Sequence, residues 1–155
     1  KIAKLTKTKI KVDSKEGDVI IMGEDGLEVY NAKQVIQAIA RGFNPDKALN
    51  LLYEESIFEV INISEYARNL KNDLKRIKAR LIGRKGKAKK TIEILANVEI
   101  SIYGKTVGII GKVENVDVAR HAINNLLLGS GHGKVYSYLE RQRKLKRGQS
   151  NDRKH

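Results

Sequence analysis

The pattern with the most chemical content is Gly83-Arg84-Lys85-Gly86. Two glycines remove the side chain at two points, so the backbone can approach a sugar-phosphate chain where a Cβ would collide. Between them Arg84 and Lys85 offer charged donors to phosphate, and Lys87, Lys89 and Lys90 extend that field. The residue spacing predicts a helix on each side of the tetrapeptide. The N-terminus of the second helix would add free N–H groups and a partial positive charge facing the same anion. A bare Gly-x-x-Gly is a weak signal: Gly108-Ile109-Ile110-Gly111 has the same spacing and reads as strand. The two flanking helices, the two enclosed cations and the apolar lead-in Leu81-Ile82 distinguish the first from the second.

No other pattern of chemical groups is legible in the sequence. The chain has no Cys, which excludes disulfide scaffolds, thiolate zinc sites and Cys nucleophiles. Gly104-Lys105-Thr106 resembles the end of a phosphate loop, but the first Gly of that motif would fall at position 99, which is Glu. Gly131-His132-Gly133-Lys134 fails as well, because Val135 follows where Ser or Thr is required. The three His residues, at 121, 132 and 155, have no paired spacing for a metal. We therefore expect no enzyme, no cofactor and no metal.

The elements that position the loop carry most of the charge. Of 155 residues, 31 are Lys or Arg and 18 Asp or Glu, a formal net charge of +13. Residues 1–56 hold nine of each sign, so the whole excess lies beyond them. Residues 68–90 hold eleven cations and one acid, Asp73; residues 134–155 hold eight cations and two acids. A helix that only needs solubility mixes signs for i,i+4 pairing. The first block does not, and its cations repel one another until an anion arrives. A polyanion partner follows, nucleic acid before an anionic membrane surface. No apolar run approaches the ~18 residues of a membrane span, and we expect a soluble cytoplasmic protein.

The chain also repeats itself with a period of about 88 residues. Residues 2–12 lie over residues 92–102, Val19-Ile20-Ile21-Met22-Gly23 over Val107-Gly108-Ile109-Ile110-Gly111, and Ala32, Ile36, Ile39, Gly42 over Ala119, Ile123, Leu126, Gly129. Each copy reads helix end, strand, turn, strand, helix, with alternation at Ile10 and Val12 and at Val98, Ile100 and Ile102. Asn115 is expected to cap the last helix of the second copy. Ahead of its repeat unit the second copy has a strand at residues 58–63. A helix opened by Ser64 follows, with Ala67, Leu70, Leu74, Ile77 and Leu81 inward. The first copy has no counterpart of that strand, helix or turn, and we expect a fragment whose natural N-terminus carries the rest. Asn44-Pro45 starts a short connector helix buried through Ala48, Leu49, Leu51 and Leu52. Val135, Tyr138, Leu139, Gln142 and Leu145 suggest a last helix through about Lys146, fraying over residues 149–155.

Helix, Gly-x-x-Gly, helix, strand, strand, helix resembles the type I KH domain, a single-strand nucleic-acid binder whose loop clamps about four nucleotides. Two such modules, together with Arg80-Leu81-Ile82-Gly83-Arg84-Lys85-Gly86, Tyr103-Gly104-Lys105-Thr106-Val107-Gly108-Ile109-Ile110-Gly111, Ala119-Arg120-His121-Ala122-Ile123 and Lys134-Val135-Tyr136, resemble the archaeal partner-of-Nob (Dim-type) family of pre-ribosomal RNA processing proteins. The resemblance implies an α+β fold of two tandem type I KH modules, each a three-stranded antiparallel sheet packed on helices. The first is N-terminally truncated, and a basic C-terminal helix follows the second. The bounds implied are 1–43, 44–56 (connector), 57–133 and 134–155. It further implies binding of single-stranded RNA near the 3′ end of small-subunit ribosomal RNA within the pre-ribosomal small subunit. Cooperation with the Nob endonuclease, and contact with a translation factor, belong to the same implication. By the same resemblance the RNA-binding residues are Arg80, Gly83, Arg84, Lys85, Gly86, Lys87, Lys89, Lys90 and Lys105, with Ile82, Ile100 and Ile102 flooring an apolar groove for the bases. Tyr103 is the one Tyr near that groove, so affinity should come from backbone contacts and base packing and be strongly salt-dependent. Two other readings fit the same residues: a protein-interaction adaptor acting through the neutral first module, and a single-stranded DNA binder.

Overall fold

A nearly continuous apolar run at 57–61 and alternating apolar residues at 98–102 help build the sheet that organises the molecule. Strands β3 (Ser56–Asn62), β4 (Glu99–Tyr103) and β5 (Thr106–Lys112) pair antiparallel in the order β3-β5-β4, so the last strand in sequence is central. The register places Ile100 opposite Ile109 and Val60 opposite Gly108. In the computed structural model, which describes residues 1–13, 15–53 and 55–152, one face of this sheet carries helices α5 (Leu70–Ile82), α6 (Lys87–Ala96), α7 (Val113–Leu127) and α8 (His132–Asp152). Ile63, Ile92, Ile109, Ile123 and Leu139 are fully buried between them. None of these helices is long and apolar enough to cross a membrane.

The opposite face is covered by the first third of the chain. Helix α1 (Ile2–Thr6), the hairpin β1 (Lys9–Asp13) and β2 (Asp18–Met22), and helix α2 (Gly26–Ala40) repeat the order of α6, β4, β5 and α7. The β1–β2 sheet has two strands. Two short helices follow, α3 (Pro45–Ala48) and α4 (Asn50–Tyr53). Asn44 caps α3 by accepting the Asp46 N–H at 2.9 Å, with Pro45 in its first position, as the sequence indicates. Val35, Ala38, Phe43, Ala48 and Leu49 form a second core with Ile110 of β5. Phe43 meets Phe58 edge to face at 6.0 Å. Gly108 makes that possible, because a Cβ there would stand 2.7 Å from the Phe43 ring.

Three local expectations are corrected. Ser64 does not open the helix: Asn62 accepts its N–H, residues 63–66 form one 3-10 turn, and α5 starts at Leu70 after Asn69. Asp73 supplies the missing cap by accepting from both the Arg68 and Asn69 N–H groups at 3.0 Å, a role that sequence spacing alone does not distinguish from an ordinary first-turn acid. Asn115 is not a cap either. It lies inside α7, 5 % exposed, where its side chain accepts the Lys146 ammonium at 2.5 Å. The last helix runs on to Asp152 through Gly148 instead of fraying from residue 149, and Val135 and Leu139 place its first two turns in the main core. The inward role expected of the Leu70 side chain, and the tail residues 153–155 with His155, lie outside the described residues.

Candidate nucleic-acid interface

Helix α5 ends where the chain must reverse, and the two glycines serve that reversal differently. Gly83 has φ 75° and sits against the start of α6: a Cβ there would lie 2.7 Å from both the N and the Cβ of Ala88. Gly86 also has φ 75°, but nothing lies within 4 Å of its absent Cβ. The first glycine is required by the fold; the second leaves open space outside it. Between them Lys85 takes φ 55°, a left-handed conformation that non-glycine residues rarely adopt. A turn closed by the Gly86 N–H on the Gly83 carbonyl at 3.2 Å holds it there. Arg84 and Lys85 are exposed at its tip. Helix α6 follows Gly86 with no side-chain cap; the N–H of its first residue, Lys87, donates to the Arg84 carbonyl within the turn, and the positive end of the helix dipole lies beside these cations.

The cations predicted to bind do not all stand free. Arg80 donates from its two terminal nitrogens to the Leu126 and Ser130 carbonyls, at 2.9 and 2.7 Å. The ring of His132 donates through Nε2 to the Arg80 carbonyl at 2.9 Å. Arg80 thus clamps α5 to the end of α7, a use that the sequence does not distinguish from phosphate contact. Lys89 stands 3.7 Å from Glu93 and Arg76 3.5 Å from Asp73. The neighbouring N–H of Asn69, then that of Arg68 and the Arg76 guanidinium, hold the Asp73 carboxyl below the usual carboxylate value. Arg84, Lys85, Lys87, Lys90 and Lys105 have no ion pair among the described residues. Lys105 is exposed in the turn from β4 to β5, away in sequence from the loop.

Beside the loop, α6 and β4 leave a wedge. They are joined by Asn97 in left-handed conformation (φ 56°), so they are closest at that joint. Ile82 is 37 % exposed at the end of α5, Ile102 is half-buried, and Ile100 is 5 % exposed within the core. Tyr103 faces the other way: its side chain lies against Gly42 on the sheet face covered by the first third of the chain. Sequence reasoning missed Glu93, which bridges the wedge. Its carboxylate accepts the Ile100 N–H at 3.0 Å, and its main-chain carbonyl accepts the Val98 N–H at 3.1 Å. An acid seven residues before a strand residue, across a helix end, was the available signal.

The family model of the second KH domain of PNO1, described as a eukaryotic-type KH domain (KH-domain type I), matches residues 57–144. The chain is 43% identical over 144 residues to a KH domain-containing protein of Methanocaldococcus jannaschii, which covers 90% of this chain and 63% of that protein. It is 37% identical over 106 residues to the pre-rRNA-processing protein PNO1 of Chaetomium thermophilum, covering 67% of this chain and 41% of that one. The chain therefore spans less than two thirds of the length of these curated relatives. Its structure is similar to that of Dim2p from Pyrococcus horikoshii, with a TM-score of 0.83, 44% identity, and coverage of 90% of this chain and 84% of that chain. A complex of a/eIF2alpha, aDim2p and rRNA from the same organism contains a similar chain, with a TM-score of 0.86, 44% identity, and coverage of 92% and 80%.

Proposed function

The chain belongs to the Dim/PNO1 type of KH proteins, and from that membership we propose that it binds single-stranded RNA without catalysing a reaction, near the 3′ end of small-subunit ribosomal RNA, in the assembly of that subunit. The observation that carries this reading is the loop: Arg84 and Lys85 exposed and unpaired among the described residues, at the uncapped start of α6, beside a glycine with open space around it. Gly83, Arg84, Lys85, Gly86, Lys87 and Lys90 hold the backbone, Lys89 and Lys105 flank it, and Ile82, Ile100 and Ile102 shape the floor under the bases. Arg80 contributes by fixing α5. The first 43 residues are a second copy of the same plan, joined by the 44–56 connector to the 57–133 module, with 134–155 as a basic extension. The site of action is the cytoplasm, next to the Nob endonuclease that the family resemblance implies.

Exchanging Arg84 and Lys85 for Asp reverses the charge at the tip without touching a buried group. Binding of a short single-stranded RNA, measured by fluorescence anisotropy, should fall more than a hundredfold while the melting temperature holds. Unchanged affinity would sink the reading. The same oligonucleotide as DNA shows whether the 2′-OH is read.

One observation favours an additional adaptor role. Residues 1–56 are electrically neutral yet expose Ile20 and Met22 on one face of the β1–β2 hairpin, Val12 on the other, and Leu27 and Tyr30 on α2, four of the five more than half exposed. Such apolar exposure suits a protein partner better than RNA, and a translation factor is the partner that fits. Charge-neutral substitution of Ile20 and Met22 by Ser should abolish binding of that factor in pull-down and leave RNA affinity unchanged.

A further inference from the structure

Helix α6 has two flanks, and the wedge occupies only one. On the other, α6, α7 and α8 surround a separate open hollow of about 390 Å³. Its floor is apolar, made by Ile94, Leu95 and Val118. Ile94 stands 66% exposed on the ridge of α6. Together with Asn97 it borders both this hollow and the hollow of about 420 Å³ on the wedge side. The two depressions therefore meet around the end of α6.

Helix α8 supplies the rim. Residues 142, 143, 146 and 147 share one helical face by their spacing, and all four line the hollow. Three of them are cations, Arg143, Lys146 and Arg147, and no Asp or Glu among the described residues lines it. Lys146 is held in place: its ammonium donates to the buried Asn115 side chain at 2.5 Å and stands 3.9 Å from Glu114. Asn115 in turn reaches the Asn97 carbonyl at 3.5 Å, so the ends of α6 and α8 are tied together before any ligand arrives. Arg143 and Arg147 are exposed and have no ion pair among the described residues. They lie one turn apart, about 6 Å along the axis, and offer a backbone two points of contact. The amides of Asn97 and Gln142 complete the lining. Each amide carries both donors and an acceptor, so the edge of any base can be met.

We propose that this hollow is a second nucleotide site, in which the strand leaving the wedge around the end of α6 lays a base on Ile94, Leu95 and Val118 and its phosphates on Arg143 and Arg147. The inference rests on the RNA-binding reading above and extends it from the loop to the far side of α6. An acidic peptide could meet the same charges. Continuity with the wedge at Ile94 and Asn97 favours the RNA strand.

The test uses the full chain and oligomers of cytidine and of adenosine, four or ten nucleotides long, by fluorescence anisotropy. Four nucleotides are about what the loop clamps; ten reach beyond it. Exchanging Arg143 and Arg147 together for Gln should weaken the ten-nucleotide oligomers about tenfold and lower their salt slope by about 1.4, at about 0.7 per cation. Ile94→Ser should weaken them about fivefold with the salt slope unchanged, because an apolar contact is lost. Neither variant should change the affinity of the four-nucleotide oligomers or the melting temperature. Exchanging Arg141 and Lys144 for Gln removes the same charge from positions that do not line the hollow, and the ten-nucleotide affinity should hold within about twofold. Parent-like binding of the ten-nucleotide oligomers by both hollow variants overturns the inference alone, and an acidic peptide as the true occupant would give that result. An equal loss in the Arg141 and Lys144 variant overturns it as well, since the charge would then act at large. So does an equal loss for the four-nucleotide oligomers, which would place the effect at the loop. Failure of the parent to bind any oligomer overturns the RNA-binding reading and this inference with it.

Discussion

The two glycines of the loop share a spacing but not a reason. Gly83 is held by contact, with Ala88 too close for any side chain, and by its positive φ. Gly83→Ala should therefore destabilise the protein by about 1–3 kcal/mol or more, visible as a lowered melting temperature. Gly86 has only its φ to satisfy, so Gly86→Ala should cost about 1–2 kcal/mol and lose proportionately more RNA affinity than stability. Arg80 separates structure from binding most cleanly. Removing its guanidinium strands the Leu126 and Ser130 carbonyls, and Arg80→Ala should cost about 1–3 kcal/mol with no change in the slope of log K against log salt. Lys87→Gln should do the reverse, leaving the melting temperature alone and reducing that slope by about 0.7. Sequence puts these two cations in one group. Only the carbonyls brought to Arg80 from about fifty residues away divide them.

At the scale of elements, the part legible in sequence was whatever local period and punctuation encode. The helices flanking the loop, the paired strands after them and the capped connector at Asn44-Pro45 all follow from near-neighbour rules. The misjudged points depend on partners distant in sequence or on competing caps. The start of α5 is one, because Ser64 is the better cap by residue type while Asp73 receives the N–H groups that matter. Asp73→Ala should lower the melting temperature at pH 7. The folded carboxyl titrates below its unfolded value near ~3.9, so its contribution is present above that range and disappears as pH falls through the lowered folded value. The gap between variant and parent should close over the same interval. Helix α8 is the other. Its cationic face reads as tail, yet Val135 and Leu139 are 2% and 0% exposed. Deleting residues 134–155 should therefore compromise folding. Replacing Arg141, Arg143, Lys144 and Arg147 by Gln should instead lower the salt slope of RNA binding at constant stability.

For the molecule as a whole, the decisive contact is Phe43 seated over Gly108 against Phe58. It turns an open sheet face into an interior and fixes the first third of the chain to the part that carries the loop. Phe43→Ala should destabilise by about 3–5 kcal/mol, and Gly108→Val should act similarly by displacing the ring. The Ser101 hydroxyl donating to the Arg41 carbonyl at 2.9 Å, and the Lys47–Glu99 pair, tie the same two parts at the β4 end.

Strand β5 passes between the two cores, with Ile109 buried in one and Ile110 in the other. A single peptide bond separates them. Loss of that strand would open both interiors at once. Pulled from its ends in a force experiment, the protein should resist as one body and give way in a single rupture, not in two steps of graded strength.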